Sequence, residues 1–225
     1  MGKNESGSSG GYTDYYSQCN TTLVKEYFNL LQQFSPHGNG TTLLDIGCGP
    51  GSLLRIGDEH GWQCTGLEIS KWAVETGKNN GLDIIEGTLQ DAQFQDNQFD
   101  IVSMFDVLEH LPIPHDYIRE IWRILKPGGK LIAETPNIDG FFVRNLYREN
   151  ADLVKPRDHL CIYSPSTARR LLESYHFSSV IIKTFPYCRK FTPGYFKSLL
   201  MTRLKPNAIH RQFTFNESLR IIATK

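Results

Sequence analysis

The stretch Leu43-Leu44-Asp45-Ile46-Gly47-Cys48-Gly49-Pro50-Gly51-Ser52 concentrates residues that could do chemistry. An apolar run ends in an acid, a glycine-rich turn follows, and an amphipathic segment begins. Gly47, Gly49 and Gly51 permit backbone angles and close approaches that a side chain forbids. Ser52 can cap the helix behind the turn, whose first N–H groups and positive dipole end face it. A strand–turn–helix of this kind seats an anionic or zwitterionic ligand. Glu68 follows Gly49 by 19 residues, where a carboxylate can accept both hydroxyls of a ribose. His110 and His159 are candidates for proton transfer, because histidine titrates nearest neutrality. A dinucleotide and a smaller nucleoside-type ligand both suit these residues. Gly47-x-Gly49-x-x-Ser52 is a near miss to the dinucleotide pattern.

The surrounding elements must bring these residues to one place. Apolar runs predict strands at 41–46, 62–69, 83–87, 99–105, 130–135, 179–185 and 218–224. Helical periodicity predicts helices at 52–60, 71–79, 115–126 and 165–176. Strands alternating with helices imply right-handed crossovers and an α/β fold with a mainly parallel sheet covered on both faces. Ligands on such sheets sit at the carboxyl ends of the strands. The glycine turn, Glu68, Thr88 and Phe105-Asp106 all fall at those ends. Before the first strand, Leu23, Val24, Tyr27, Phe28, Leu30, Leu31 and Phe34 trace a helical stripe. That stripe either packs over the ligand mouth or only fills the core. Lys126-Pro127-Gly128-Gly129 predicts a stop after the helix at 115–126.

The 225 residues suit one domain over 12–225, preceded by a Gly/Ser-rich flexible tail at 1–11. Two aromatic, basic stretches, 138–160 and 186–217, lack periodicity and read as covers over a site. No apolar run is long enough to span a bilayer. The segment Met1-Gly2-Lys3-Asn4-Glu5-Ser6 has no apolar core for secretion and matches the pattern for acylation at Gly2. The 5 cysteines are far apart and form no Cys-x-x-Cys, so they read as reduced thiols in a cytoplasmic protein. No His/Cys cluster has metal spacing, and no metal is expected. Net charge is zero, yet residues 1–137 carry 9 basic and 18 acidic groups against 15 and 6 in residues 138–225. The basic half suits an anionic substrate, or the charges simply solvate one globule.

Three further features separate the ligand classes. Asp45 sits inside the strand end. Phe99-Asp100-Ile101-Val102-Ser103-Met104-Phe105-Asp106-Val107-Leu108-Glu109-His110-Leu111 follows, and Leu125-Lys126-Pro127-Gly128-Gly129 leads into the next strand. In order and spacing these resemble the seven-stranded, class I S-adenosylmethionine-dependent methyltransferases. Within them the chain is similar to the ubiquinone-biosynthesis-type O-methyltransferases, over residues 40–185 and the last strand. The resemblance implies a Rossmann-like sheet of seven strands with the last antiparallel. It implies S-adenosyl-L-methionine as cofactor, S-adenosyl-L-homocysteine as product, and a small-molecule acceptor methylated at oxygen. Asp45, Gly47, Cys48 and Gly49 would hold the methionyl part and Glu68 the ribose. Ile69, Thr88 and Leu89 would line the adenine. Phe105, with Asp106 behind it, would offer its carbonyl to the methionyl ammonium. Where relatives carry an acid for the adenine amino group, this chain has Thr88, a hydroxyl without charge, with Gln90 beside it. His159, with Asp158 as neighbour, and His110 would be the candidate general bases.

The resemblance further implies a monomer or weak homodimer. Arg144, Arg148, Lys155 and Arg157 would hold an acidic acceptor, and Tyr12, Tyr15 and Tyr16 would cover the site. Nucleic acid is not the expected acceptor, because Asp106-Val107-Leu108-Glu109 differs from the motif of amino-group nucleic-acid methylases. Two rival functions remain: a nicotinamide-dependent oxidoreductase, and a non-catalytic cofactor-binding regulator.

Overall fold

A computed structural model describes residues 21–140, 159–185 and 218–225. The tail at 1–11, the N-terminal tyrosines, most of both irregular stretches and their basic residues lie outside the described residues.

The elements run α1 (Thr21–Gln32), β1 (Thr42–Ile46), α2 (Ser52–Glu59), β2 (Gln63–Glu68), α3 (Lys71–Asn79), β3 (Ile84–Glu86) and β4 (Phe99–Phe105). A single 3-10 turn (Leu108–His110), α4 (Pro114–Ile124), β5 (Leu125–Pro136), α5 (Pro165–Glu173), β6 (Ser179–Phe185) and β7 (Ser218–Thr224) complete the order. The sheet order is β3-β2-β1-β4-β5-β7-β6. β1 to β5 pair in parallel, and β7 inserts antiparallel to both β5 and β6. The expected seven-stranded, mostly parallel sheet with its last strand antiparallel is the one observed.

Side-chain alternation along each strand feeds two cores. Leu44, Ile46, Val102 and Met104 pack with Ile118 and Ile121 of α4 and Leu171 and Leu172 of α5. Leu43, Ile101 and Ile132 face the other way, against Phe28 and Leu31 of α1, Leu53 and Leu54 of α2, and Val74 of α3. Burying each of these large side chains contributes about 2 kcal/mol. Asp45 shares the parity of Leu43, so an acid stands in an otherwise apolar row. The stripe on α1 is therefore core, but its Tyr27 also reaches the site described below.

Two local expectations change. Ser52 does not cap α2. Gly51 is the N-cap, at φ 85°, and no side chain caps the helix. Only glycine takes that angle cheaply, and a Cβ there would lie 2.5 Å from Leu82 Cδ1. The helix before β5 ends at Ile124 rather than at 126, and β5 starts at Leu125. Pro127 disfavours helical angles at the residue before it. Leu125 is already extended and pairs with Phe99, with a register shift before Ile101.

Candidate active site at the carboxyl ends of the strands

β1 and β2 end side by side, Asp45 opposite Gly66 and Ile46 opposite Leu67. The turn after β1 is tied to the end of β2: Gly47 N–H donates to Leu67 O at 2.7 Å, and Cys48 N–H to the same oxygen at 3.3 Å. Gly47 is exposed at φ 73°, and a Cβ there would meet Val107 Cγ2 at 2.4 Å. Backbone is thus the whole lining at this point, which lets a ligand approach closely.

Asp45 and Glu68 are both buried. Asp45 Oδ1 accepts from the Ser103 hydroxyl at 2.7 Å. Burial drives its carboxyl up to about 7, against the Ser103 hydrogen bond and with help from the Glu68 charge. Glu68 Oε2 accepts from Gly49 N–H at 2.9 Å, and Oε1 from Ser70 N–H at 2.8 Å. Those two bonds use half of a carboxylate's acceptor positions. The remainder suit two ligand hydroxyls. Neither acid has a cationic partner among the described residues. Cys48, half-buried between them, has its thiol pushed up by burial and by the charges of Asp45 and Glu68. It stays protonated and is no nucleophile.

Ile69 follows Glu68 with 72% of its surface exposed, an apolar platform at the mouth. Thr88 lies after β3. Its hydroxyl donates to Asp91 Oδ2 at 2.6 Å and its N–H to the same oxygen at 3.0 Å. Those bonds from Thr88 hold the Asp91 carboxyl below its ordinary range. Thr88 thus presents a hydroxyl polarised by an acid three residues on, and Asp91 rather than Gln90 is its partner. Leu89 is fully buried in the core, backbone included, so it is packing rather than the cofactor contact that was expected.

At the end of β4, the Phe105 ring stacks on Tyr27 at 3.9 Å between centroids and 7° between planes. Asp106 takes φ 53°, and its N–H donates to Glu134 O at 3.0 Å. A left-handed non-glycine residue at such a place stores strain of about 1 kcal/mol or more. Buried Glu134 binds Arg220 at 3.0 Å and accepts from the Tyr27 hydroxyl at 3.4 Å. Burial, opposed by Arg220, raises its carboxyl to about 7.

His110 and His159 come together, rings 4.8 Å apart and tilted 72°. The backbone explains this approach across the chain. Leu160 N–H and Cys161 N–H both donate to Glu109 O, at 2.8 and 3.0 Å. Glu109 itself is buried, and its Oε2 accepts from the Thr135 hydroxyl at 2.9 Å.

Nine of the ten residues expected around a cofactor lie on one rim, from the end of β1 across β2, β3 and β4; the tenth, Leu89, is turned into the core. Ser103, Asp91 and the Tyr27–Glu134–Arg220 group were not anticipated. Ser103 faces Asp45 across paired strands, so equal parity on neighbouring strands was the available signal.

A sulfonium nucleoside with an amino-acid tail fits this donor set: two buried acids for its cations and diol, backbone for close approach, an apolar platform for the base. A family model described as a methyltransferase domain matches residues 20–180. The chain belongs to the class I S-adenosylmethionine-dependent methyltransferases. A ubiquinone biosynthesis O-methyltransferase from Coxiella burnetii is 36% identical over 108 residues, 44% of this chain and 44% of that protein. The match thus spans less than half of that relative's length. Among solved structures, a methyltransferase from Archaeoglobus fulgidus superposes with a TM-score of 0.68 at 19% identity, covering 92% of this chain and 95% of the other. A phosphoethanolamine N-methyltransferase from Haemonchus contortus, solved with S-adenosyl-L-methionine, gives 0.66 at 17% identity, covering 99% and 61%. At such identities the methyltransferase's likeness to these structures concerns the fold alone. No described helix is long and apolar enough to cross a membrane.

Proposed function

We propose that this domain transfers a methyl group from S-adenosyl-L-methionine to an oxygen of a small-molecule acceptor. One observation carries the reading: Asp45 and Glu68 are buried carboxylates without a cationic partner among the described residues, beside a turn with no side chain at Gly47. Two acids buried without a cation beside them attract a ligand that carries an ammonium and a sulfonium beside its carboxylate. Glu68 would suit the ribose of either ligand, but Asp45 beside the glycine turn repels the pyrophosphate of a nicotinamide dinucleotide.

In this reading the cofactor supplies an electrophilic methyl group on a positively charged sulfur. Asp45 and the backbone at Gly47, Cys48 and Gly49 hold the methionyl end. Glu68 takes the ribose diol. Ile69 packs on the adenine, and Thr88 with Asp91 accepts from its amino group. Phe105, braced by Tyr27 and by Asp106, presents its carbonyl to the ammonium. His159 and His110 stand at the acceptor side, where a hydroxyl must lose its proton. Positioning in a dry site supplies most of the rate. The identity to the Coxiella O-methyltransferase supports oxygen as the acceptor atom. The basic balance of residues 138–225 supports an anionic acceptor. A monomer or weak dimer working in the cytoplasm completes the proposal, with the described free thiols Cys48, Cys64 and Cys161 in its favour.

The test is transfer of labelled methyl from the cofactor to pools of phenols, enols, carboxylic acids and amines. The expected product is a methylated oxygen in a small, extractable molecule. Label on amines would overturn oxygen as the acceptor. Cofactor binding without transfer to any pool would favour the regulatory rival.

A further inference from the structure

Glu109, His110 and His159 offer one carboxylate oxygen and two imidazole nitrogens that all lie within 4.8 Å of one another. The sequence hides this grouping, because 48 residues lie between His110 and His159. The fold builds it. The 3-10 turn presents Glu109 and His110, and the chain from Leu160 is pinned to Glu109 O by two backbone bonds. Glu109 is 1% exposed and its Oε2 is oriented by the Thr135 hydroxyl, as outer hydrogen bonds orient ligating carboxylates. His110 is exposed and His159 half-buried, so an ion has a path in from solvent.

We propose that these three side chains form a site for one divalent transition-metal ion, zinc by preference, with an open position on the solvent side. Two imidazoles with one carboxylate select zinc, iron(II) or cobalt over magnesium and calcium, which favour all-oxygen sites. Metal–ligand distances near 2.1 Å put such ligands roughly 3 to 4 Å apart. Rotation of the two rings closes the difference.

The cluster adjoins the cofactor seat. Val107, two residues before Glu109, is the side chain that a Cβ at Gly47 would strike. Resting on the methyl-transfer reading, the open position takes the acceptor hydroxyl. An oxygen bound to a divalent cation loses its proton more readily. That proton goes to solvent, the oxygen lone pair forms the new C–O bond, and the S–CH3 bond breaks with its electron pair left on sulfur. His110 and His159 then act as ligands rather than as proton acceptors.

The experiment uses the full chain, stripped with chelator and dialysed, titrated with Zn2+ by calorimetry and with Co2+ by visible spectroscopy. One ion per chain is expected, with Co2+ bands of nitrogen and oxygen ligation. His110→Ala and His159→Ala should each weaken Zn2+ about 100-fold, while S-adenosyl-L-homocysteine affinity stays within about 2-fold. Retained homocysteine binding shows that each variant is folded. Unchanged Zn2+ affinity in both variants, or a thiolate charge-transfer band with Co2+, would overturn the site. Metal binding is read without any acceptor, so it stands or falls apart from methyl transfer. Zn2+ bound at the triad with turnover unaffected by chelator would keep the site and remove its role in acidifying the acceptor.

Discussion

Asp45 is an acid kept near neutrality by its surroundings, and this has a measurable sign. Its carboxyl titrates at about 7 in the fold, against 3.8 as the ordinary value. Between those values the unfolded chain has given up the proton and the fold still holds it. Stability without cofactor therefore falls as pH rises from about 4 to 7, then levels off. Asp45→Asn removes this penalty, so the variant should be more stable than the parent at pH 8, on the order of a few kcal/mol. The two should converge in acid, as denaturant melts across pH will check. Glu109 and Glu134 titrate in the same range, so the difference between the two proteins, not the parent curve, is the readout. Cofactor affinity should rise with pH through 7 in the parent and stay flat in the variant, because the bound cation favours ionised Asp45. Asp45 was legible in the sequence as an acid at a strand end. Its neutrality was not, because that comes first from burial by distant parts of the chain and then from the Glu68 charge on the neighbouring strand, against the Ser103 hydrogen bond.

The turn between β1 and α2 and the end of β4 form one unit at the next scale up. Gly47→Ala puts a methyl into Val107 and an alanine at φ 73°. The variant should lose about 1 to 3 kcal/mol of stability by thermal melt. Adding Val107→Ala should relieve the clash but leave the strained angle, so recovery should be partial. Helix α1 is held to this unit by the Tyr27–Phe105 stack and the Tyr27–Glu134 hydrogen bond. Tyr27→Ala should speed amide exchange in α1 while β1 and β4 keep their protection. Helices, strands and the glycine turn could be read from periodicity and from three glycines after an apolar run. The cap on α2 could not, because Gly51 starts the helix through its backbone angle with no capping side chain to read, and neither could the start of β5, because Leu125 is drawn into the strand by pairing with Phe99 of β4. Tyr27 was legible as apolar stripe, but its bond to Glu134 crosses 107 residues and no local pattern encodes it.

For the whole molecule, the parallel sheet places every proposed cofactor contact at one rim, and α/β alternation alone was enough to anticipate that. What alternation cannot supply is the pairing of distant side chains, such as Asp45 with Ser103 or Glu109 and His110 with His159. The central claim is that this rim binds a sulfonium nucleoside through two acids. Calorimetry of S-adenosyl-L-methionine against the parent and Glu68→Ala is the measurement that decides it, with a nicotinamide dinucleotide as control. Binding to the parent should be 1:1, affinity in the variant about 10 to 100-fold weaker through loss of the ribose contacts, and the dinucleotide should give no heat. Equal affinity in parent and variant, or heat from the dinucleotide alone, would contradict it.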